Sequence, residues 1–394
     1  MIKNLNTFDL KDKRVLLRVD FNVPLDNGVV ADDFRIRSAL PTIEYCLKQG
    51  AGVVIMSHLG RPKGNVNKNL SLIPVGESLA DLLEMPIKFS HNCVSEDAHD
   101  TSLGISSGEI HLLENLRFHK EETLNDQHFS MLLAKHGQVF INDAFGTAHR
   151  AHASNVGIVN HFKQKGMGLL MEKEYVFLKD SFDRPKRPLT LILGGAKIGT
   201  KLNLINRFLN KSDMILIGGG MAFTFLKARG YEVGSSLVND SMLNNANQIL
   251  ESAKQRNVRI ILPSDFICAG SFNGKPEGVF SNREIPNDMV GLDVGPNTIK
   301  KFNKHLGQSK TILWNGPMGV FENKHYATGS NEIAKKLVEM NDIGIVTIVG
   351  GGDTAAAIRK CGLQNDVTHV STGGGASLEL LSGKTLPAFE ALEL

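Results

Sequence analysis

Short apolar runs that alternate with helical segments are the feature that most constrains how this chain folds. The first run carries Val15, Leu16, Leu17 and Val19 and is typical of a strand inside a parallel sheet. Such alternation predicts a doubly wound parallel sheet. In the first half we predict further strands at Gly52 to Met56, near Ile87, at Ile110 to Leu113 and at Val139 to Asn142, with helices from about Ser38 to Gly50, at Pro74 to Leu83 and around Asp126 to Lys135.

The alternation stops once and then restarts. Residues Gly168 to Phe182 have helical periodicity, and the breaker run D-R-P-K-R-P follows them, which predicts a connecting helix and then a domain boundary. Beyond it we predict strands at Leu189 to Leu193, Met214 to Ile217, Arg259 to Leu262, Thr311 to Asn315 and Ile345 to Val349, with a helix at Asn239 to Gln255. The predicted fold class is α/β, with two doubly wound, Rossmann-like parallel-sheet domains joined by a connecting helix; 394 residues are enough for two cores.

Charge, cysteine content and hydrophobicity indicate which kinds of binding partner and cellular location the chain has. The net charge of +3 is too mild to favour nucleic acid or a membrane surface. The four cysteines are far apart and lack zinc-site spacing, which is typical of reduced core residues. The first residues have no apolar signal segment, and no later run approaches the length of a membrane span. We therefore expect a cytoplasmic protein with no membrane or nucleic-acid partner.

Polar side chains follow the first strand directly, in the stretch R-V-L-L-R-V-D-F-N-V-P from Arg14 to Pro24. In extended chain, Arg18, Asp20 and Asn22 project from the side opposite their apolar neighbours. Open α/β sheets bind their ligands at the carboxyl ends of strands. The alternative is a strand end with solvated polar residues.

Cations recur at the strand ends and loops of the first half. Guanidinium groups that arrive from separate loops suit a small polyanion, because the planar fork binds carboxylate and phosphate bidentately. For any single arginine, a solvated surface position is the alternative. The shared location favours one anion site made by Arg18, Arg35, His58, Arg61, Arg117, His149 and Arg150.

In the second half, glycine clusters follow the predicted strands instead of cations. They are Gly194 and Gly195, Gly218 to Gly220, Gly350 to Gly352, and Gly373 to Gly375. Glycine lets the backbone approach a ligand closely, and a following helix offers free N–H groups to phosphate. The clusters predict a nucleotide site, although each alone is also typical of a tight turn. The Walker G-K-[ST] ending is missing after Gly194, so the chain is not a P-loop protein.

A resemblance to a known family rests on eight motifs that run in order along the chain. They are the stretch from Arg14 to Pro24, S-H-L-G-R-P at Ser57, L-E-N-L-R-F at Leu113, D-A-F-G-T-A-H-R at Asp143, L-G-G-A-K at Leu193, W-N-G-P-M-G-V-F-E at Trp314, G-G-G-D-T at Gly350 and S-T-G-G-G-A-S at Ser371. Together they resemble the signature of the phosphoglycerate kinase family.

The resemblance implies a fold and an activity. The fold has two lobes, a 3-phosphoglycerate-binding domain at residues 1–169 completed by the tail 380–394, and a nucleotide-binding domain at 170–379. The activity is reversible, Mg²⁺-dependent phosphoryl transfer, in which 1,3-bisphosphoglycerate and ADP give 3-phosphoglycerate and ATP in glycolysis. We also expect a monomer, and because the two sites lie on different lobes we expect the lobes to close about hinges at the ends of the connecting helix and around Ser371 to Leu381.

The resemblance further implies roles for individual residues. The 3-phosphoglycerate site comprises Asp20, Asn22, Arg35, His58, Arg61, Arg117, His149 and Arg150. The nucleotide site comprises Gly195, Lys201, Gly218, Gly219, Leu292, Asn315, Pro317, Glu322, Gly350, Gly351, Gly352, Asp353 and Thr354, with Asp353 also the Mg²⁺ ligand. Catalysis is assigned to Arg35, Lys197 and the backbone N–H groups at Gly373 and Gly374. An N-cap role alone is the alternative for Asp353.

Two other functions remain open at this point. G-G-G-D-T-A at Gly350 to Ala355 fits the G-x-G-x-x-A pattern of a nicotinamide-dependent dehydrogenase, but no convincing ribose carboxylate follows it. A two-lobed binding protein of the periplasmic type is the non-enzymatic alternative, and the missing signal segment weighs against it.

Overall fold

The computed structural model describes residues 2–196 and 198–393, and for Asp180 and Ser181 it describes the backbone only. The chain forms two compact units, Met1–Val176 with Thr385–Leu394, and Phe177–Lys384. Each unit contains a six-stranded parallel sheet with helices between its strands. The predicted α/β class with two doubly wound parallel sheets is confirmed.

The first unit is built on the order β5-β6-β4-β1-β7-β8, with every pairing parallel. β1 lies near the middle, where Leu16 pairs with Val54 on one side and Phe140 on the other. Buried β-branched and leucine side chains make these strands the core of the unit. Its strands are β1 (Arg14–Arg18), β2 (Leu25–Asp26), β3 (Val29–Val30), β4 (Gly52–Met56), β5 (Ile87–Ser90), β6 (Ile110–Leu113), β7 (Val139–Asn142) and β8 (Lys165–Met167).

The helices of this unit are α1 (Phe34–Lys48), α2 (Ile73–Leu83), α3 (Glu96–Leu103), α4 (Lys120–Thr123) and α5 (Gln127–Ala134), followed by α6 (Leu169–Asp183). The prediction that the first helix starts near Ser38 is wrong, because α1 begins four residues earlier and Pro41 lies inside it. β8 and the β2–β3 hairpin were not predicted, since their strands are only two or three residues long and too short to show a periodic pattern.

The second unit has the order β11-β10-β9-β15-β16-β17, again all parallel. Its strands are β9 (Leu189–Leu193), β10 (Met214–Ile217), β11 (Arg259–Ile261), β12 (Asp265–Ala269), β13 (Gly278–Ser281), β14 (Val290–Val294), β15 (Thr311–Asn315), β16 (Val346–Gly350) and β17 (His369–Val370). Its helices are α7 (Leu202–Phe208), α8 (Met221–Ala228), α9 (Leu243–Gln255), α10 (Pro296–Leu306), α11 (Thr328–Asp342), α12 (Gly352–Lys360) and α13 (Gly375–Leu381).

An additional antiparallel sheet, β13-β12-β14, was not predicted. Its residues lie in a stretch rich in glycine, proline and asparagine, which is typical of loops. The sheet matters for function because β14 carries Leu292 and β12 carries Phe266, and both line a cavity described below.

The last helix, α14 (Pro387–Glu393), belongs to the first unit. Ala388 donates its backbone N–H to the Ala148 carbonyl at 3.1 Å, and Phe389 stacks on Tyr175 with ring centroids 4.7 Å apart. Within the described part of the chain, every helix falls short of the length and apolar character needed to cross a membrane.

Candidate active site

The loop after β1 brings a carboxylate, an amide and a guanidinium together. Arg35, in the first turn of α1, donates from Nη1 to Asp20 Oδ2 at 2.9 Å and to the Asn22 carbonyl oxygen at 3.2 Å. The Asn22 side chain accepts the Gly60 N–H at 2.9 Å, which ties this loop to the loop after β4. Polar groups of two strand ends thus form one surface, as the position of ligand sites in open sheets predicts.

His58 lies at the centre of this group. It is 2% exposed, and its Nδ1 is 3.3 Å from Arg18 Nη2 and 3.7 Å from Asp20 Oδ1. Burial, followed by the charges of Arg18, Arg117, Arg35 and Arg150, holds the pKa of His58 well below its usual range. Four arginines therefore act on one buried imidazole, which shows that cations from separate loops converge here.

Arg117 carries the clearest sign of an anion site. It follows β6 in a short 3₁₀ turn whose Asn115 side chain accepts its backbone N–H at 3.0 Å. Arg117 Nη1 donates to the Gly60 carbonyl at 2.7 Å, whereas Nη2 is buried without a partner in the described residues. Burial, with the charges of Arg150 and Arg18, lowers the Arg117 pKa to about 10. A bound anion would supply both the missing acceptor and the missing negative charge.

The other predicted cations differ in how many contacts they make with the polar groups around His58. Arg150 is half-buried and its Nε lies 3.3 Å from His149 Nε2. Arg61 is exposed, and its side chain makes no hydrogen bond or ion pair to the rest of the described chain. Arg18, counted among the cations for the anion, is fully buried, and its Nε and Nη1 bind Ser154 and the Val19 carbonyl inside the protein.

The strand ends of the second unit form a tight backbone cradle. Gly195 donates its N–H to the Pro317 carbonyl at 2.8 Å, and Gly219 donates to Met318 at 3.1 Å. A Cβ at Gly219, where φ is +61°, would lie 2.4 Å from the Gly195 nitrogen. Only glycine allows the β9 and β10 loops to approach this closely, which explains this part of the glycine pattern.

Lys201 and Asn315 connect three strand ends beside this cradle. The Lys201 ammonium donates to the carbonyl oxygens of Gly194 at 2.6 Å and Asn315 at 2.8 Å. The Asn315 amide in turn donates to the Gly350 carbonyl at 2.9 Å. Burial lowers the Lys201 pKa to about 7, and the nearby Asp353 charge opposes this shift. The Gly194 and Asn315 carbonyls take two of the three ammonium donors, so one donor is left for a phosphate oxygen.

A cavity of about 240 Å³ opens beside this cradle. Six predicted nucleotide residues line it: Gly195, Gly219, Leu292, Pro317, Glu322 and Asp353. Its apolar wall is completed by Phe223, Phe266, Met318 and Val320, which sequence reasoning missed because such side chains read as core. A mostly apolar cavity whose lining includes the exposed carboxylate of Glu322 suits a nucleoside.

The helix α12 begins at the same edge of the sheet. Gly351 precedes it with φ of +93°, and Asp353 lies exposed in its first turn. Thr354 Oγ1 accepts the Gly316 N–H at 2.6 Å, so it fixes the loop after β15. A Cβ at Gly374 would be 3.9 Å from the Gly352 nitrogen, which places the Gly373–Gly374 turn near the start of α12.

Comparisons with known proteins agree over almost the full chain. A family model described as phosphoglycerate kinase matches residues 5–384. The phosphoglycerate kinases of Prosthecochloris aestuarii and Prochlorococcus marinus are 48% and 46% identical to the chain, with 99% of this chain and 99% and 98% of theirs covered. The chain belongs to the phosphoglycerate kinase family.

A solved structure gives the same result in three dimensions. The structure of phosphoglycerate kinase from Coxiella burnetii matches with a TM-score of 0.87 and 38% identity, covering 100% of this chain and 99% of that one. The similarity extends over both units and their sheets. Family membership confirms the resemblance found in the motifs and sets aside the dehydrogenase and the binding protein.

Within this phosphoglycerate kinase family member, the structure groups most of the predicted site residues by unit. Asp20, Asn22, Arg35, His58 and Arg117 are joined by contacts and Arg150 by its charge, whereas Arg61 stays apart. The predicted catalytic Lys197 lies outside the described residues. The roles of all these residues stay predictions, which the geometry supports to different degrees.

Proposed function

We propose that the chain interconverts 1,3-bisphosphoglycerate plus ADP and 3-phosphoglycerate plus ATP, the reaction of its family. One observation of the structure carries most weight: four arginines converge on buried His58, and Arg117 Nη2 has no acceptor in the described residues. This arrangement favours a small, multiply charged anion as the ligand. 3-Phosphoglycerate carries a phosphate at one end and a carboxylate at the other, which suits arginines that come from separate loops.

The substrate site consists of the residues around His58. Asp20 and Asn22 are suited to the hydroxyl and carboxylate region, because Asp20 offers an acceptor to the hydroxyl while the Asn22 amide and the neighbouring Arg35 guanidinium offer donors to the carboxylate. Arg117, Arg150, His149 and Arg61 then bind the charged ends. The exposure of Arg61 gives it a smaller share of the binding energy than buried Arg117, since water screens its charge.

The nucleotide binds in the cavity of the second unit. Gly195, Gly218, Gly219, Leu292 and Pro317 form the adenine pocket, and Glu322 binds the ribose hydroxyls. Supporting this assignment, most of these residues line one apolar cavity. Lys201, Asn315 and the segment Gly350 to Thr354 then lie at the strand ends where phosphates can accept N–H donors.

The chemistry needs no general base. The attacking carboxylate of 3-phosphoglycerate is ionised at neutral pH, since carboxyl groups have pKa values near ~4. Catalysis rests on orienting the ligands and on donors that stabilise charge on the transferring phosphoryl group. We assign this to Arg35, Lys197 and the backbone N–H groups at Gly373 and Gly374. Exclusion of water protects the acyl phosphate from hydrolysis.

Mg²⁺ fits the nucleotide site through Asp353. The carboxylate is exposed in the first turn of α12 and borders the cavity, and protein sites typically hold Mg²⁺ through one or two carboxylates plus phosphate oxygens. No cluster of three or more acidic, histidine or cysteine side chains in the described ranges could hold the ion alone. When bound, Mg²⁺ neutralises phosphate charge. Asp353 would be its protein ligand.

Three further properties complete the proposal. The two ligands must meet, so we propose that the domains at 1–169 with 380–394 and at 170–379 close about the connecting helix and residues 371–381. We propose a cytoplasmic monomer. Small-angle scattering with and without both ligands tests closure, and sedimentation tests the oligomeric state. No compaction with both ligands bound would contradict closure.

ADP release from Mg-ATP tests the function itself. We expect ADP to form only when 3-phosphoglycerate is added, and glycerate without phosphate to be at least about 10²-fold poorer, because it leaves buried arginine donors unpaired. Omission of Mg²⁺ should abolish the reaction. ADP formation that is independent of 3-phosphoglycerate would contradict the proposal.

A further inference from the structure

Arg18 is a buried arginine whose donors are already occupied. Its Nε donates to Ser154 Oγ at 2.9 Å, Nη1 donates to the Val19 carbonyl, and Nη2 lies 3.3 Å from His58 Nδ1. The side chain is 0% exposed, so it is not a free ligand for a substrate. Arg18 instead connects Ser154 with the His58 imidazole at the centre of the cluster, because it contacts both side chains.

A second buried charge lies behind Arg18. Ser154 donates its hydroxyl to Glu122 Oε1 at 2.7 Å and its backbone N–H to Oε2 at 3.0 Å. Burial raises the pKa of Glu122, but His152, whose Nδ1 lies 3.6 Å from Oε1, the Arg18 charge and the Ser154 hydroxyl outweigh it and lower the pKa overall. Glu122 is therefore ionised and only accepts hydrogen bonds.

The charges of Glu122 and Arg18 fix which atom donates and which accepts in each hydrogen bond from Glu122 to His58. A carboxylate only accepts, so the Ser154 hydroxyl hydrogen points to Glu122, and the Ser154 oxygen accepts from Arg18. A guanidinium only donates, so the Arg18 Nη2–H group requires a lone pair on His58 Nδ1. With Nδ1 unprotonated, the ring hydrogen of His58 is on Nε2. His58 Nε2 has no hydrogen-bond partner in the described residues.

We propose that Glu122, Ser154 and Arg18 are positioning residues that hold His58 as the neutral Nε2–H tautomer, which donates a hydrogen bond to an oxygen of the phosphoglycerate anion. The proposal rests on the proposed function and deepens it. A neutral donor is favourable here, because the charges of Arg18, Arg35, Arg117 and Arg150 already act on the ring, while Asp20 is the one carboxylate of the described residues within ion-pair distance of it.

The tautomer of His58 can be measured directly by ¹⁵N NMR on histidine-labelled protein without ligand, with His58 identified by its loss in His58→Gln. We expect an unprotonated Nδ1 and a protonated Nε2, unchanged from about pH 8 to pH 5.5. Ser154→Ala removes the hydroxyl between Arg18 and Glu122, so we expect a mixed tautomer. KM for 3-phosphoglycerate should rise about tenfold, as for the loss of ~1.4 kcal/mol, with KM for ATP unchanged.

Ser130→Ala is the matched control, because Ser130 is a buried serine of the same unit whose hydroxyl binds the Asp126 carbonyl. It should leave the tautomer and both KM values unchanged. Ser154→Thr keeps a hydroxyl and should therefore show the wild-type tautomer and KM values, unlike Ser154→Ala. A protonated Nδ1 in the wild-type protein would overturn the proposal. The proposal would also be overturned if Ser154→Ala lowered thermal stability but left the His58 tautomer and KM for 3-phosphoglycerate unchanged. If the tautomer result holds but the wild type shows no turnover, the proposed function fails and the positioning network stands.

Discussion

The Lys201 ammonium lies 2.8 Å from the Asn315 carbonyl oxygen, in a position where burial lowers its pKa to about 7. A nucleotide that brings phosphate charge to this site raises the pKa again, because opposite charge favours the ammonium. ADP binding near pH 7.5 should therefore take up a fraction of one proton. Calorimetry of ADP binding in buffers of different ionisation enthalpy measures this uptake.

Lys201→Met is the control for this proton uptake. It should bind ADP more weakly, and its binding of ADP should take up no proton. Equal proton uptake by wild type and Lys201→Met would assign the titration to another group.

Arg117 and Arg61 provide a direct comparison within the anion site. Arg117→Met removes a buried, unmatched donor, so we expect KM for 3-phosphoglycerate to rise about 10- to 100-fold, as for a lost charged hydrogen bond. Arg61→Ala removes an exposed cation and should raise the same KM by only about threefold. Steady-state kinetics with each substrate varied separates these effects. A larger change in KM for ATP would mean that the two sites are assigned to the wrong units.

Lys197 is predicted to act on the transferring phosphoryl group. Lys197→Ala should reduce kcat by about 10²- to 10³-fold, as for the loss of one donor to a developing charge, and leave 3-phosphoglycerate binding intact. Equilibrium titration with 3-phosphoglycerate measures the second quantity. Lys254→Ala, an exposed lysine of the same unit, is the control. An unchanged kcat in Lys197→Ala would remove this residue from the mechanism.

A buried hydrogen-bonded chain should make the first unit sensitive to acid. Ser102 Oγ lies 2.8 Å from His111 Nδ1 and 2.6 Å from His136 Nδ1, and His136 Nε2 lies 2.9 Å from the Cys93 carbonyl. Burial is the main reason that the pKa falls to about 4 for His111 and about 3 for His136. The unfolded chain, with histidine pKa near 6.5, therefore binds more protons than the folded protein between these values.

Stability that depends on these two neutral histidines is present above pH ~6.5 and is lost as pH falls. The free energy of unfolding should fall by up to ~1.4 kcal/mol per pH unit for each histidine. Urea unfolding at pH 7, 6 and 5 measures the slope. His136→Asn should be less stable at pH 7 but should show a smaller slope, whereas His128→Asn on the surface should not change it. Equal slopes for the wild type and His136→Asn would contradict this account.

The sequence predicted the parallel strands well because their apolar runs are continuous and buried on both faces, as in Leu189–Leu193. Local pattern could not locate the start of α1, since apolar and charged residues simply alternate from Phe34 to Arg37 and Pro41 is typical of a first turn. The small antiparallel sheet was missed because pairing, rather than local composition, makes strands of its glycine-containing segments.

For the site, the sequence identified which residue types gather at the strand ends but not how each is used. Arg18 and Arg117 have the same chemistry, yet one binds Ser154 inside the unit and the other keeps a buried donor without a partner in the described chain. That difference depends on residues far away in sequence. The aromatic wall of the cavity, Phe223 and Phe266, was indistinguishable from core for the same reason.

Trapping of the acyl phosphate shows whether the protein transfers a phosphoryl group to the carboxylate of 3-phosphoglycerate. Protein, Mg-ATP and 3-phosphoglycerate are incubated with hydroxylamine, and the hydroxamate of phosphoglycerate is measured against ADP. The account predicts equal amounts of hydroxamate and ADP for the wild type, and for Arg117→Met the same ratio at a much lower rate when 3-phosphoglycerate is limiting. ADP without hydroxamate would contradict phosphoryl transfer to the carboxylate.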